Sequence, residues 1–136
     1  LPFQRLVFLL QLRYQAFASV DGAPGLIYTH DWDNGPVVHE RMHWVVAEAA
    51  ATAAMLLKRT GHVDYERWYR RFWDYIDQFM IDREQGSWHQ ELDRHNRPSS
   101  TVWAGKPDLY HAYQATLLPR LPLTPTMARA IADGRL

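Results

Sequence analysis

Two pairs of side chains could bind a hydroxylated ligand. Trp44 and Glu48 are four residues apart in a helical run, so they share one face of the helix. A carboxylate on the apolar side of a helix is costly unless it is paired or bound to a ligand, and the indole offers a flat surface beside it. Asp108 and His111 open a later helix, where Asp108 could cap the helix or accept hydrogen bonds from a polyol. Two simpler readings stay open, in which Asp108 is only a cap and His111 is a core histidine.

A second pattern suggests metal chemistry. Residues 39–43 read His-Glu-Arg-Met-His, which fits the H-E-x-x-H pattern of zinc hydrolases. In that pattern two histidines on one helical face bind zinc and the glutamate acts as the base. Pro36 precedes His39 by three residues, which places His39 at or before the start of the helix. A zinc-dependent hydrolase that uses His39, Glu40 and His43 is therefore an alternative, and polar residues at a helix entrance are the simpler interpretation.

Hydrophobic periodicity predicts a mainly helical chain with two β-hairpins. The first hairpin turns at Asn34-Gly35, a strong turn signal, and Gly61 is expected to end the second helix. For the last helix the signals are Thr124 as N-cap and Pro125 at the first helical position. The predicted helices span residues 3–18, 41–60, 64–81, 108–118 and 124–132, and the predicted hairpins span residues 26–38 and 87–98.

The hairpins and the helices that follow them look like two copies of one unit. Pro36 and Pro98 are 62 residues apart, and Glu48 and His111 are 63 apart. A unit of about 60 residues suits a hairpin plus a pair of helices. The repeat predicts that Glu48 and His111 occupy equivalent places in two successive inner helices and face one cavity.

Composition narrows the classes of function. Lysine plus arginine equals aspartate plus glutamate at 15 each, so no basic field favours nucleic acid or an anionic membrane. Cysteine is absent, which excludes disulfides, thiolate nucleophiles and cysteine zinc sites. No apolar run is longer than five residues, as in residues 6–10, which is too short to span a bilayer, and no signal-peptide cleavage site follows that run. We expect a cytoplasmic protein of one domain over residues 1–136, and the initial Leu1 hints at a trimmed or partial chain.

Five segments of the chain resemble motifs of one known family: residues 41–49, 60–65, 82–88, 91–93 and 105–111. They resemble, in the correct order, the C-terminal part of the N-acylglucosamine 2-epimerase superfamily, and above all its aldose–ketose isomerase branch. The resemblance covers about residues 25–123. It implies an all-α fold, a partial (α/α)6 barrel of inner and outer helices with short β-hairpins between helices and the site in the barrel mouth. It also implies a monosaccharide substrate, isomerised between aldose and ketose (mannose/fructose type) through a cis-enediol, with no cofactor and no metal.

The resemblance also assigns roles to four residues, whereas one catalytic residue of the family has no match in this chain. His111 matches the family's acid/base histidine, Glu48 and Trp44 match residues that line the sugar site, and Asp108 falls in the same motif as His111. The family's second catalytic histidine lies in a Pro-Gly-His-x-x-Glu-Trp motif that residues 1–4 do not contain, although residues 5–13 resemble the helix after it. We therefore predict that this chain alone is inactive or nearly so. A non-catalytic helical carbohydrate-binding module is a further alternative, and the sequence leaves the sugar and the oligomeric state open.

Overall fold

The computed structural model describes residues 21–123 and 126–135. The helix predicted over residues 3–18 lies outside this part of the chain. Within it, short antiparallel strands alternate with helices. The elements are β1 (Thr29–His30), β2 (Pro36–Val38), β3 (Arg41–Met42), α1 (His43–Thr60), α2 (Val63–Tyr75), a π-helical continuation of α2 (Ile76–Met80), β4 (Glu91–Leu92), β5 (Pro98–Ser99), α3 (Leu109–Leu117) and α4 (Met127–Ala132).

Helix α1 lies at the centre of the core, and both α2 and α3 pack against it. Its run of alanines allows this, because small side chains let neighbouring helices approach on several sides. Ala50 and Ala53 are fully buried. The helix ends where the sequence predicts, at Gly61, whose φ of 70° is left-handed and whose N–H donates to the Leu57 carbonyl at 2.8 Å. Near this end, the Lys58 ammonium donates to carbonyl groups that follow α3, which fixes one helix to the other.

The aromatic side chains of α2 and its π-helical continuation form a stripe that faces α1. Phe72 and Tyr75 are almost completely buried, and Ile76 and Met80 of the π-helical continuation are fully buried. This face brings large apolar side chains onto a helix of small ones, so the two surfaces fit closely. The remaining members of the stripe are partly buried against the same core: Tyr65, Trp68, Tyr69, Trp73 and Phe79.

The two hairpin turns have the same hydrogen-bond geometry, which supports the repeat read from the sequence. The Asp31 N–H donates to the Gly35 carbonyl at 2.9 Å, and the Asp93 N–H donates to the Arg97 carbonyl at 2.8 Å. In each turn the aspartate carboxylate also accepts the N–H groups of the residues two and four positions later. An asparagine with a left-handed φ (63° and 61°) completes each turn.

Three details differ from the sequence predictions. Arg41 and Met42 form strand β3, which pairs with β4 and gives a three-stranded sheet in the order β3-β4-β5, so the helix begins at His43 and not at Arg41. The N-cap of α4 is Thr126, whose side chain accepts the Arg129 N–H, whereas the predicted cap and first residue, 124 and 125, lie outside the described residues.

The third difference concerns the equivalence of Glu48 and His111. Glu48 is the sixth residue of α1, whereas His111 is the third residue of α3. The two positions are therefore not equivalent along their helices, because the segment between hairpin and helix is longer in the second unit. They face each other across the contact between α1 and α3.

Candidate active site

The contact between α1 and α3 brings Glu48 and His111 together. His111 Nδ1 lies 2.9 Å from Glu48 Oε1, and the amide of Gln114 donates to the same oxygen at 3.3 Å. Gln114 follows His111 by one helical turn, so both side chains leave α3 on the same face. The side chains of His111 and Glu48 are 25% and 42% exposed, so this pair is open to a ligand.

The hydrogen bond between His111 and Glu48 has a defined direction. A carboxylate oxygen accepts hydrogen bonds, so Nδ1 of His111 donates the proton and Nε2 is the nitrogen left to accept one from elsewhere. The other carboxylate oxygen of Glu48, Oε2, has no hydrogen-bond partner among the described residues. An imidazole with one free nitrogen, oriented by a carboxylate behind it, is well suited to act as a general base.

Aromatic rings surround this pair. The Trp44 indole lies 6.1 Å from the His111 ring between centroids, tilted by 38°, and the Tyr110 ring lies 4.8 Å from the His111 ring. Tyr28, which immediately precedes β1, packs edge-to-face on Trp44 at 6.0 Å. Trp44, Glu48 and His111, singled out from the sequence, thus lie in one cluster. Such a wall of rings suits the apolar face of a sugar.

Asp108 is the N-cap of α3. Its Oδ1 accepts the Tyr110 N–H at 2.8 Å, and the side chain is exposed. The structure therefore supports the interpretation of Asp108 as a helix cap. Its other oxygen has no hydrogen bond within the described ranges, and a role in binding a ligand stays a prediction.

His43 contacts the cluster from the core side. Its ring lies edge to face with the His111 ring, with centroids 5.8 Å apart, and the residue is 2% exposed. Nδ1 lies 3.2 Å from the Gln90 carbonyl oxygen. Burial lowers the pKa of His43, and the nearby His111 lowers it further, although the Gln90 carbonyl raises it.

The H-E-x-x-H residues do not form a ligand pair. Because β3 lies inside the motif, His39 and His43 are not stacked on one helical face. His39 Nδ1 lies 2.8 Å from Asp21 Oδ2, whereas His43 faces the Gln90 carbonyl. No group of three or more histidine, aspartate or glutamate side chains that could hold a metal ion occurs in residues 21–123 and 126–135. The zinc alternative therefore has no geometric support.

Arg41 of that motif has a structural role. It is 1% exposed, and its guanidinium donates to both carboxylate oxygens of Asp21 at 2.7 and 2.8 Å. It also donates to the carbonyl groups of Ala23, Pro24 and His39. This hydrogen-bonded ion pair holds residues 21–24, which precede the β1–β2 hairpin, against the start of α1.

Glu91 positions the loop that leads into α3. It is fully buried, and its carboxylate accepts the backbone N–H groups of Thr101, Val102 and Trp103. A buried carboxylate that accepts several N–H groups fixes the local backbone strongly. Further along the loop, Lys106 pairs with Asp82. Backbone N–H groups, chiefly that of Gln85, and the Lys106 ammonium lower the pKa of Asp82 to about 2. These two anchors hold the loop before Asp108 and His111.

Comparison with known families agrees with this architecture. The sequence model of the N-acylglucosamine 2-epimerase (GlcNAc 2-epimerase) family matches residues 7–115. The chain belongs to the N-acylglucosamine 2-epimerase family. The resemblance read from the motifs is thereby confirmed.

Curated relatives within this family carry the name D-mannose isomerase. The protein from Pseudomonas cannabina pv. alisalensis is 61% identical over 114 residues, and that from Thermobifida fusca is 56% identical over 115 residues. Each alignment covers 84% of this chain and 28% of the relative. The chain thus spans a little over a quarter of the length of these relatives.

Solved structures of sugar isomerases and epimerases are similar to this chain. A crystal structure of D-mannose isomerase superposes with a TM-score of 0.72 at 27% identity and covers 87% of this chain and 30% of that one. A cellobiose 2-epimerase from Spirochaeta thermophila gives a TM-score of 0.65 at 18% identity over 82% of this chain and 28% of that one, which shows the fold alone. The predicted fold, part of an (α/α)6 barrel with small antiparallel sheets, is confirmed. The single-domain assignment stays a prediction.

Several residues that line or support the site were not predicted from the sequence. Gln114 follows His111 at helical spacing, which was a usable signal. Tyr28 and Gln90 carried no such signal, because they reach the site only through the pairing of the hairpins. His43 was considered only as a zinc ligand. Within the described ranges, no helix has the length and apolar character that a membrane span requires, and the cytoplasmic location stays a prediction.

Proposed function

We propose that this chain forms one wall of the active site of a sugar isomerase that interconverts an aldose and a ketose of the mannose/fructose type. The observation that carries the proposal is the 2.9 Å contact between His111 Nδ1 and Glu48 Oε1 in a half-exposed, aromatic-lined site. Membership in the N-acylglucosamine 2-epimerase family and relatives named D-mannose isomerase support the same class of reaction.

In the proposed reaction His111 takes a proton and returns it. The free Nε2 of His111 accepts the proton from C2 of the open-chain aldose. The electrons of the broken C–H bond form the C1–C2 double bond of a cis-enediol, while an acid/base group on another wall of the site gives a proton to O1. Nε2 of His111 then returns its proton to C1, and the O2 proton passes to that other acid/base group, which gives the ketose and restores both groups to their starting protonation states. Glu48 stabilises the imidazolium that His111 becomes in between.

The other residues bind and orient the sugar. Oε2 of Glu48 accepts a hydroxyl of the substrate, because the hydrogen bonds from His111 and Gln114 both go to Oε1. Trp44 covers an apolar sugar face and excludes water from the enediol, and the second oxygen of Asp108 accepts a further hydroxyl. The substrate is a monosaccharide, and the reaction needs no metal at this pair.

We further propose that residues 1–136 alone do not isomerise mannose at an enzyme-like rate. One wall supplies a single candidate proton-transfer histidine, whereas the reaction moves protons at two carbons and two oxygens. An enzyme-like conversion of mannose to fructose by the purified chain would contradict this part of the proposal.

A segment exchange tests the function. The matching segment of the Thermobifida fusca D-mannose isomerase, 56% identical over 115 residues, is replaced by the corresponding residues of this chain. We expect the chimera to convert mannose to fructose. His111→Ala in the chimera should lower kcat by about 10²–10⁴-fold, the usual contribution of a general acid/base, and Glu48→Gln should lower it less. His95→Ala, an exposed turn residue, is the matched control and should leave kcat unchanged.

The outcome that refutes the proposal is an active chimera in which His111→Ala keeps its turnover. A chimera that folds, binds mannose and does not turn over, with or without His111, would instead favour the carbohydrate-binding module. Circular dichroism and thermal melting of each variant separate loss of chemistry from loss of fold.

A further inference from the structure

His43 is a buried histidine to which the proposed reaction gives no role. It is the first residue of α1, 2% exposed, and its ring meets the His111 ring edge to face at 72° with centroids 5.8 Å apart. An apolar side chain could fill the same space without removing two polar nitrogens from water. A histidine at this place therefore calls for an explanation.

The Gln90 carbonyl fixes the tautomer of His43. Both the backbone N–H and the Nδ1 of His43 lie 3.2 Å from this carbonyl oxygen. A carbonyl oxygen only accepts hydrogen bonds, so Nδ1 carries the proton and Nε2 is bare. The pairing of Met42 with Glu91 in the three-stranded sheet holds the carbonyl in place. The sheet backbone thus sets the orientation and the tautomer of a ring that touches His111.

The bare nitrogen shows that His43 is not a conventional core residue. Nε2 is buried and has no hydrogen-bond partner in the part of the chain that the structure describes. An unpaired buried acceptor costs about 1–3 kcal/mol. Burial also lowers the pKa of His43, so the ring stays neutral and does not repel a proton on its neighbour. The chain therefore keeps a fixed, neutral ring beside His111 in spite of its cost.

We infer that His43 is a positioning residue for His111: the Gln90 carbonyl locks the His43 ring, and the edge of that ring holds the His111 imidazole in the orientation that bonds Glu48. The inference rests on the proposed function, in which His111 transfers the proton. His43 does not contact the substrate, because its free nitrogen is buried. Without this ring, His111 has room to turn about its side-chain bonds and leave the Glu48 carboxylate.

NMR of the imidazole groups in the 136-residue chain tests this with three variants. His43→Phe keeps an aromatic ring against His111. His43→Asn keeps an amide N–H for the Gln90 carbonyl but removes the ring. His95→Asn, at an exposed turn, is the matched control.

In His43→Asn we expect the His111 Nδ1–H to exchange with water about tenfold faster, the factor that corresponds to the net contribution of one hydrogen bond. The through-space contact between the His111 and Trp44 rings should also be lost. In His95→Asn both signals should stay close to those of the original chain. His43→Phe keeps the ring but not its hydrogen bond to the Gln90 carbonyl, so both signals should lie between those of the original chain and those of His43→Asn. Rescue by phenylalanine separates positioning by the ring from a general loss of stability.

An unchanged His111 in His43→Asn, or an equal loss in His43→Phe, overturns the inference. If His43→Asn does not fold, the unsubstituted chain still decides, because a protonated Nε2 and a bare Nδ1 on His43 would overturn it as well. The readout is the geometry of His111 and not turnover. This test can therefore fail while the chimera remains active, and the chimera can be inactive while His43 positions His111.

Discussion

The buried ion pair between Asp21 and Arg41 should contribute strongly to the stability of the fold. The side chains are 2% and 1% exposed, and two hydrogen bonds of 2.7 and 2.8 Å join them. Asp21→Asn leaves the guanidinium buried with only carbonyl oxygens and an amide as acceptors. Breaking such a pair by removing one partner typically costs about 3–5 kcal/mol. Since small domains have a free energy of unfolding of about 5–15 kcal/mol, this change removes a large share of it.

Urea denaturation followed by tryptophan fluorescence measures the effect as a shift of the midpoint at constant slope. Asp64→Asn is the matched control, because Asp64 pairs with Arg67 at 2.9 Å on the surface, with side chains 53% and 73% exposed. An exposed pair of this kind contributes about 1 kcal/mol or less. A midpoint shift for Asp21→Asn that is no larger than that for Asp64→Asn would refute the reasoning.

The pH dependence gives an independent check on the same pair. Burial alone would raise the pKa of Asp21, but the Arg41 guanidinium and His39 more than offset it and hold the pKa well below its usual value of 3.8. As the pH falls below 3.8, the unfolded chain therefore takes up a proton that the folded chain does not, and stability is lost. This acid-dependent step should be absent from Asp21→Asn.

Two further predictions concern His43 and Gly25. Burial lowers the pKa of His43 from 6.5, so the unfolded chain binds a proton at this residue at a higher pH than the folded chain does. The free energy of unfolding in urea should therefore fall as the pH drops below 6.5, and His43→Phe should remove this dependence. If the slope of stability against pH were unchanged in His43→Phe, the prediction would be wrong. Gly25 has a φ of 112°, and an added Cβ would lie 2.6 Å from the Tyr75 hydroxyl, whereas Gly22 at φ 91° has open space around it. Gly25→Ala should therefore destabilise the fold by about 1–3 kcal/mol more than Gly22→Ala, because of overpacking, and its melting temperature should be lower. Equal losses of stability in the two variants would show that only backbone strain matters.

The sequence was most informative where local patterns decide the structure. Alanine-rich and aromatic helices, the Gly61 stop and the hairpin turns follow from spacing and turn chemistry alone. Strand β3 did not, because its two residues become a strand only by pairing with β4, about fifty residues later. Two residues carry no periodic signal of their own, so the helix seemed from sequence to start at Arg41.

The candidate site could likewise be predicted only in part. Glu48 and His111 could be singled out because their types and the repeat both marked them, and the structure places them in contact. Their predicted equivalence was wrong, since the longer segment before α3 shifts His111 to the first turn of its helix. The role of Gln90 depends on the pairing of distant strands, and the role of Glu91 depends on a loop that folds back onto its buried carboxylate. No single-sequence pattern encodes either contact.

The asparagine of the second turn has a consequence for folding cooperativity. Asn96 accepts a hydrogen bond from the Tyr75 hydroxyl at 2.6 Å and donates one to the Pro24 carbonyl at 3.0 Å. The tip of the β4–β5 hairpin is thus bonded to the segment that precedes the β1–β2 hairpin. A repeat array with contacts only between adjacent surfaces can fray one unit at a time. Here the opening of one hairpin tip also releases the entrance of the other unit, and the two units should lose amide protection together, as a single foldon.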